Sequence, residues 1–231
     1  MLRRYRWVFI GLAVLVAAPI VGTFLYFNVF RDDPPERLSL DDVTTTSGDT
    51  GTTAPGAADG IEGAWTVGDG SVVGYRVDEE LFGQSAEAVG RSEGVTGSLT
   101  IEGTTVTEAT FDVDMATFES DQSRRDGQFE GRIMEVDEFP TAAFVLTEPI
   151  ELGAEPADGA RVEVEATGDL TLHGVTRPVT IPLVAQLDGS SIAVDGSVTV
   201  TFADYEIDDP SGGPASVGSD GELEVLLVFA R

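Results

Sequence analysis

The chain has 231 residues, with 13 Lys+Arg against 41 Asp+Glu, a formal net charge of −28, a single His and no Cys. Such an acidic chain lacks the clustered cations that neutralise phosphates, which excludes a general nucleic-acid binder. Without Cys there are no disulfides, thiolate metal sites or cysteine nucleophiles, and one His cannot build a histidine-rich zinc or copper centre. The hydrophobic share of 42% is ordinary for a folded domain, so neither a metal nor a cofactor but a packed body is expected.

Residues 1–6 hold Arg3, Arg4 and Arg6, and residues 7–30 follow without one charge. At about 1.5 Å rise per residue, an apolar helix of that length crosses a hydrocarbon core of about 30 Å. Trp7 and Tyr26 suit the two interfaces, and the preceding arginines place the N-terminus in the cytoplasm. A cleaved signal peptide is the competing reading, but its apolar region is usually shorter, and Ala17-Ala18 runs straight into Pro19. The expectation is an uncleaved single-pass span that leaves the rest of the chain extracytoplasmic at the cell membrane. Residues 31–62, opening on Pro34-Pro35 and rich in Thr, Gly and Ala, show no apolar period. They read as a flexible linker with a reach of about 30 Å.

From residue 63 the pattern changes to a period of two, the signature of half-buried strands. Strands are expected at 71–77, 94–102, 106–115, 141–147, 161–172, 177–187, 191–202 and 222–230, separated by turn signals such as His173-Gly174 and Asp188-Gly189. Phe111, Val113 and Met115 alternate with Thr110, Asp112 and Asp114, so one face is apolar and the other wet. Pro182 marks an edge or a bulge in the sixth strand. One short helix is expected from Ser123, with Ser123 as its N-cap, Asp126 at its first turn and Phe129, Ile133 and Met134 as its apolar stripe. A second helical turn is expected within 79–89. Eight antiparallel strands with short connections imply an all-β barrel, closed because closure removes exposed edges. At this strand number the inside is either filled by side chains or hollow enough for one ligand. Periodicity leaves both open.

His173 lies between two strands and reads as a turn residue in preference to a general base, since no G-x-S-x-G elbow accompanies it. Arg125 beside Asp126 either orients the helix or meets a polar head group. The aromatic set Phe111, Phe118, Phe129, Phe139 and Phe144 serves a core or a lipid pocket equally well.

The stretch SRRDGQFEGRIMEVDEFP at 123–140, followed by Thr141-Ala142-Ala143-Phe144 and by LTLHGVTRPV at 170–179, resembles the YceI-like family. Trp65, Val95-x-Gly97-x-Leu99 and Phe202-Ala203-Asp204-Tyr205 carry the same likeness across 63–231. Its closest flavour is the membrane-anchored, high-GC Gram-positive type, which an arginine-only set of cations also fits. The resemblance implies an eight-stranded, lipocalin-like antiparallel barrel with an extended cavity, exported, without catalytic activity, and holding a long isoprenoid or quinone-like lipid. Arg125, Asp126, Phe139, Pro140, His173, Gly174 and Pro178 match the family pattern, whereas Gln128 stands where many members have His. The expected lipid contacts are Phe111, Val113, Met115, Phe118, Phe129, Ile133, Phe144, Leu146, Leu170 and Leu172, with Arg125 at the head group. The alternatives are a filled barrel acting as an interaction module of the cell envelope, and a hydrolase built on His173.

Overall fold

A computed structural model of the chain describes residues 34–46, 60–81, 83–213 and 215–231. The expected membrane span at 7–30 lies outside the described residues; among those residues no helix is long and apolar enough to cross a membrane.

The elements are helix α1 (Leu40–Thr46), strands β1 (Gly63–Val67), β2 (Val72–Leu81), β3 (Gln84–Ser92), β4 (Val95–Glu102), β5 (Thr105–Asp114) and β6 (Glu119–Ser120), helix α2 (Ser123–Gln128), and strands β7 (Thr141–Leu146), β8 (Ile150–Glu151), β9 (Arg161–Leu172), β10 (Val175–Asp188), β11 (Ser191–Thr201), β12 (Ala215–Val217) and β13 (Asp220–Ala230). β1 and β2 are two halves of one bent strand, and so are β3 and β4. With those joined, the ladder runs antiparallel through β4, β5, β7, β9, β10, β11 and β13, and closes where Thr66 meets Ala230 and Leu226 meets Val72. The result is an eight-stranded up-and-down barrel.

The bend between β1 and β2 is held by Ser71, buried at 4% exposure. Its hydroxyl donates to Gly68 O at 2.8 Å and accepts from Val228 N at 2.9 Å. On the neighbouring strand Ser92 Oγ accepts from Gly94 N at 2.9 Å. A hydroxyl thus replaces the ladder bond that each kink removes, which leaves no buried backbone group unpaired there.

Two local expectations fail for identifiable reasons. Residues 79–89 are not helical: β2 and β3 form a nine-rung hairpin from Val73↔Ser92 to Leu81↔Gln84. The sequence of β3 is rich in Gln, Ser, Ala and Glu, which favour helix in isolation, but pairing along a preformed edge overrides so weak a preference. Ser123 is not the N-cap of α2. That position belongs to Gln122, without a side-chain cap, while the Asp126 carboxylate turns back to accept from Ser120 N and Oγ at 2.9 and 2.6 Å. Downstream, α2 loosens into one π turn over Phe129–Ile133, with Met134 N donating to Phe129 O at 2.8 Å. The wider turn places both Phe129 and Met134 inside the barrel end.

β10 behaves as Pro182 requires. Its pairing with β11 runs from Asp188↔Ser191 only as far as Leu183↔Gly196, whereas its pairing with β9 continues along its whole length. A residue without an N–H stands where the ladder stops.

The tract expected as a featureless linker contains an ordered strap at 36–43. Leu40, 2% exposed, packs on Ala193 and Leu226, with Val184 beside it, all on the outer face of the wall. Arg37 pairs with Glu222 and Glu224, the Glu36 carbonyl accepts from Arg91, and Asp41 pairs with Arg161. These partners lie on β13, β3 and β9, so the strap crosses several strands. Burying one leucine side chain contributes about 2 kcal/mol, more than the exposed ion pairs. Leu40→Asp is therefore expected to undock the strap, seen as accelerated proteolysis within 36–43 while the barrel's thermal unfolding persists as a separate cooperative transition.

Candidate functional site

Adjacent strands stack the inward side chains into rows. Phe111 on β5, Phe144 on β7 and Leu170 on β9 are register partners, as are Val113 and Ala142. The sequence candidates on these strands, Phe111, Val113, Phe144, Leu146, Leu170 and Leu172, therefore share one interior wall. Met115 is buried in the 3₁₀ turn after β5, and Phe129 and Ile133 lie on the π turn, all in the cluster that caps one end of the barrel. Phe118 packs against this cluster and against the one at the opposite end.

That opposite end is plugged. Trp65, 2% exposed, donates from Nε1 to Ile61 O at 2.9 Å, and the Arg231 guanidinium lies 4.2 Å from its ring centroid. Phe229 is 1% exposed and meets Phe111 at 5.8 Å between ring centroids. At the first end Tyr75 stacks on Phe129 at 4.9 Å and 11°, and Phe118 lies 5.1 Å from Phe129.

Between the two ends, three aromatic side chains lie over glycines of neighbouring strands. A Cβ built on Gly97 would meet Phe111 Cδ1 at 2.6 Å, and one on Gly168 would meet Phe144 Cε2 at 2.7 Å. On Gly90 it would meet Tyr75 Oη at 2.7 Å. Each ring occupies the volume above a glycine on a neighbouring strand, an aromatic-over-glycine pairing that a twisted sheet tolerates well. The inward Phe111, Val113, Phe144, Val164, Ile181, Leu183, Val198 and Val225 are accordingly only partly buried, although they point at the barrel axis.

The sequence candidates all come from β5, β7, β9 and the helical turn. The other half of the lining, on β2, β10, β11 and β13, was missed. Leu223, Val225, Leu227 and Phe229 on β13 alternate with Glu222 and Glu224, and that signal was available. Tyr75 lay within the strand expected at 71–77, but its partner strand β3, which carries Gly90, was not expected as a strand.

Arg125 does not stand open toward the interior. Its guanidinium pairs with Asp121 and with Glu79 Oε1 at 3.5 Å, and it is 15% exposed. Tyr75 lies within the field of this cluster. Burial pushes its phenol from 10.0 up to about 12, with Arg125 opposing and Asp126, Asp121 and Glu79 adding to the rise. Because the folded value exceeds the unfolded one, the stability from keeping Tyr75 neutral is complete below pH 10 and is lost as pH rises toward 12. Burial raises the Tyr205 phenol as well, so a phenolate absorbance titration is expected to show Tyr75 among the late-ionising tyrosines, and Tyr75→Phe is expected to reduce that late step without abolishing it.

His173 and Gly174, at φ 51° and 74°, form the two-residue turn between β9 and β10. The His173 ring is held between Tyr205 O and Glu135 Oε2, each at 3.2 Å, and packs 4.4 Å from Phe139. Neither hydrogen-bond partner is a serine, so the geometry is that of a turn clamp. Glu135 and Glu206 also have positive φ, at 44° and 55°, so the three non-glycine residues in the left-handed region among the described residues lie around this ring or next to its partners.

A profile of the YceI-like domain matches residues 65–229. A protein named UPF0312 from Pseudomonas aeruginosa is 38% identical over 128 residues, covering 53% of this chain and 58% of that protein. One from Pseudomonas fluorescens is 31% identical over 120 residues, covering 49% and 59%. The matched stretch thus spans little more than half the length of these curated relatives. Among solved structures, a polyisoprenoid binding domain from Saccharophagus degradans, implicated in plant cell wall breakdown, aligns with a TM-score of 0.60 at 17% identity, over 74% of this chain and 99% of that one. BcnA of Burkholderia cenocepacia aligns at 0.53 and 20% identity, over 68% and 95%. The barrel, its end cap and the extent of the profile agree: the chain belongs to the YceI-like domain family.

Proposed function

We propose that this protein is a membrane-tethered, extracytoplasmic carrier of a long apolar lipid, a polyisoprenoid or quinone-like molecule held along the barrel axis, and that it does no chemistry on it. The observation that carries this reading is the row of partly buried apolar side chains facing inward between two closed ends. In a filled barrel those residues would seal against one another; here their rings lie flat over glycines, and apolar surface remains to be covered. Covering it with a chain releases about 0.8 kcal/mol per buried methylene, so affinity grows with tail length and needs little polar recognition. That a relative of the same fold is a polyisoprenoid binding domain supports the ligand class.

Tethering is supported by the uncharged run at 7–30 and its arginine-rich flank. A tether raises the effective concentration of a membrane lipid without altering intrinsic affinity. The test is native mass spectrometry of the full chain, purified in detergent from expressing cells. A retained adduct whose fragments step by isoprene units supports the reading. Apo protein that also fails to take up an added polyprenol overturns it.

A further inference from the structure

At the end cap the charges of Arg125 and Asp126 are both taken, whereas the Tyr75 hydroxyl is not. Arg125 is held by Asp121 and Glu79, and Asp126 is held by Ser120. Tyr75 points inward from β2 between Leu223 and Gly90, its ring pressed on Phe129 and near Phe118. Among the described residues its hydroxyl has no hydrogen-bond partner, yet it is not one of the sealed polar atoms, so it opens on free space. Tyr205 offers the contrast: its hydroxyl is unpartnered but wholly enclosed, out of reach of any ligand. A half-buried phenol without an acceptor forgoes a hydrogen bond that water or a ligand can restore.

We infer that Tyr75, and not Arg125, is the polar ligand contact of this barrel, and that it donates to a neutral oxygen acceptor on an isoprenoid, such as a quinone carbonyl, in preference to a phosphate. The inference rests on the lipid-binding reading above and narrows it. The charge balance selects the acceptor. Around the phenol stand three carboxylates, Asp121, Asp126 and Glu79, against the single Arg125, so an anionic head group adds a like charge in a partly desolvated place. A carbonyl adds none and still accepts. Burial keeps the phenol protonated at neutral pH, so it remains a donor there. The stacked faces of Tyr75 and Phe129 also present an aromatic floor that a planar quinone ring can extend.

The test uses the full chain in detergent micelles and three probes with C20 isoprenoid chains of equal length: a menaquinone with a geranylgeranyl tail, geranylgeranyl phosphate, and the saturated hydrocarbon phytane, which has no head. The menaquinone is expected to bind tightest and the phosphate weakest. Tyr75→Phe keeps the ring stack and removes only the hydroxyl; it is expected to weaken the menaquinone about five-fold, the worth of one neutral hydrogen bond, while leaving phytane unchanged. Equal weakening of phytane, or no weakening of the menaquinone, overturns the inference and leaves lipid carriage standing. So does tightest binding of the phosphate with loss in Arg125→Gln. Failure of all three probes to bind overturns the lipid reading, and the inference with it.

Discussion

Glu224→Leu is expected to lower the unfolding free energy by about 3 kcal/mol, the largest effect of any single charge removal in the wall. Glu224 is 2% exposed and its Oε1 accepts from Arg76 Nε at 2.9 Å, with Arg76 itself 6% exposed. Both lie on the outer face, beneath Arg37 of the strap. Taking away the carboxylate leaves a guanidinium out of water that has lost its buried counter-charge and keeps the partly exposed Glu87 at 2.8 Å. Removing one partner of a buried pair costs more than the pair is worth, because the survivor keeps its desolvation penalty. The double variant Arg76→Met with Glu224→Leu is therefore expected to recover to within about 1 kcal/mol of the parent. Urea unfolding followed by circular dichroism measures both. Equal destabilisation in the single and double variants would show that packing, not charge, dominates there.

Gly168→Val is expected to damage stability and ligand capacity together. The new Cβ would meet Phe144 Cε2 at 2.7 Å and the Val145 carbonyl oxygen at 2.5 Å. The ring can yield only by swinging off the wall toward the axis, and the backbone cannot yield at all. Overpacking of this kind costs about 2–3 kcal/mol, and the displaced ring stands where the lipid tail would run. Lipid uptake should fall more than the unfolding midpoint alone accounts for. Gly127→Ala is the matched control, because nothing lies within 4 Å of its added Cβ and it sits in α2; it is expected to bind normally and to be slightly more stable. A Gly168→Val protein with unaltered uptake would mean that Phe144 does not face the binding space.

The barrel was legible because period-two alternation survives in nearly every strand. The alternation of Phe111 and Val113 with Thr110, Asp112 and Asp114 in β5 is enough to set one face inward, and the His173-Gly174 turn was identifiable from two residues. What stayed hidden were features decided by partners distant in sequence. β3 lacks strand formers and becomes a strand only because β2 is beside it. The strap looks like linker because only Leu40 and its neighbours Leu38 and Val43 carry its apolar contacts. Nothing in the sequence marks the glycines at 90, 97 and 168 as partners of aromatic rings, yet each lies beneath a ring supplied by another strand. Arg125 shows the same limit. An arginine in a family-like motif suggested a head-group contact, and only the three-dimensional placement adds Glu79 and Asp121 as its ion-pair partners.

The hollow axis bears the whole account, and a crystal structure of the full chain purified from its native membrane, without added lipid, addresses it most directly. Elongated density running from the Trp65 plug to the Tyr75–Phe129 stack, in contact with Phe111 and Phe144, is the predicted result. Side chains from opposite strands meeting along the axis, with no continuous space between them, would contradict it.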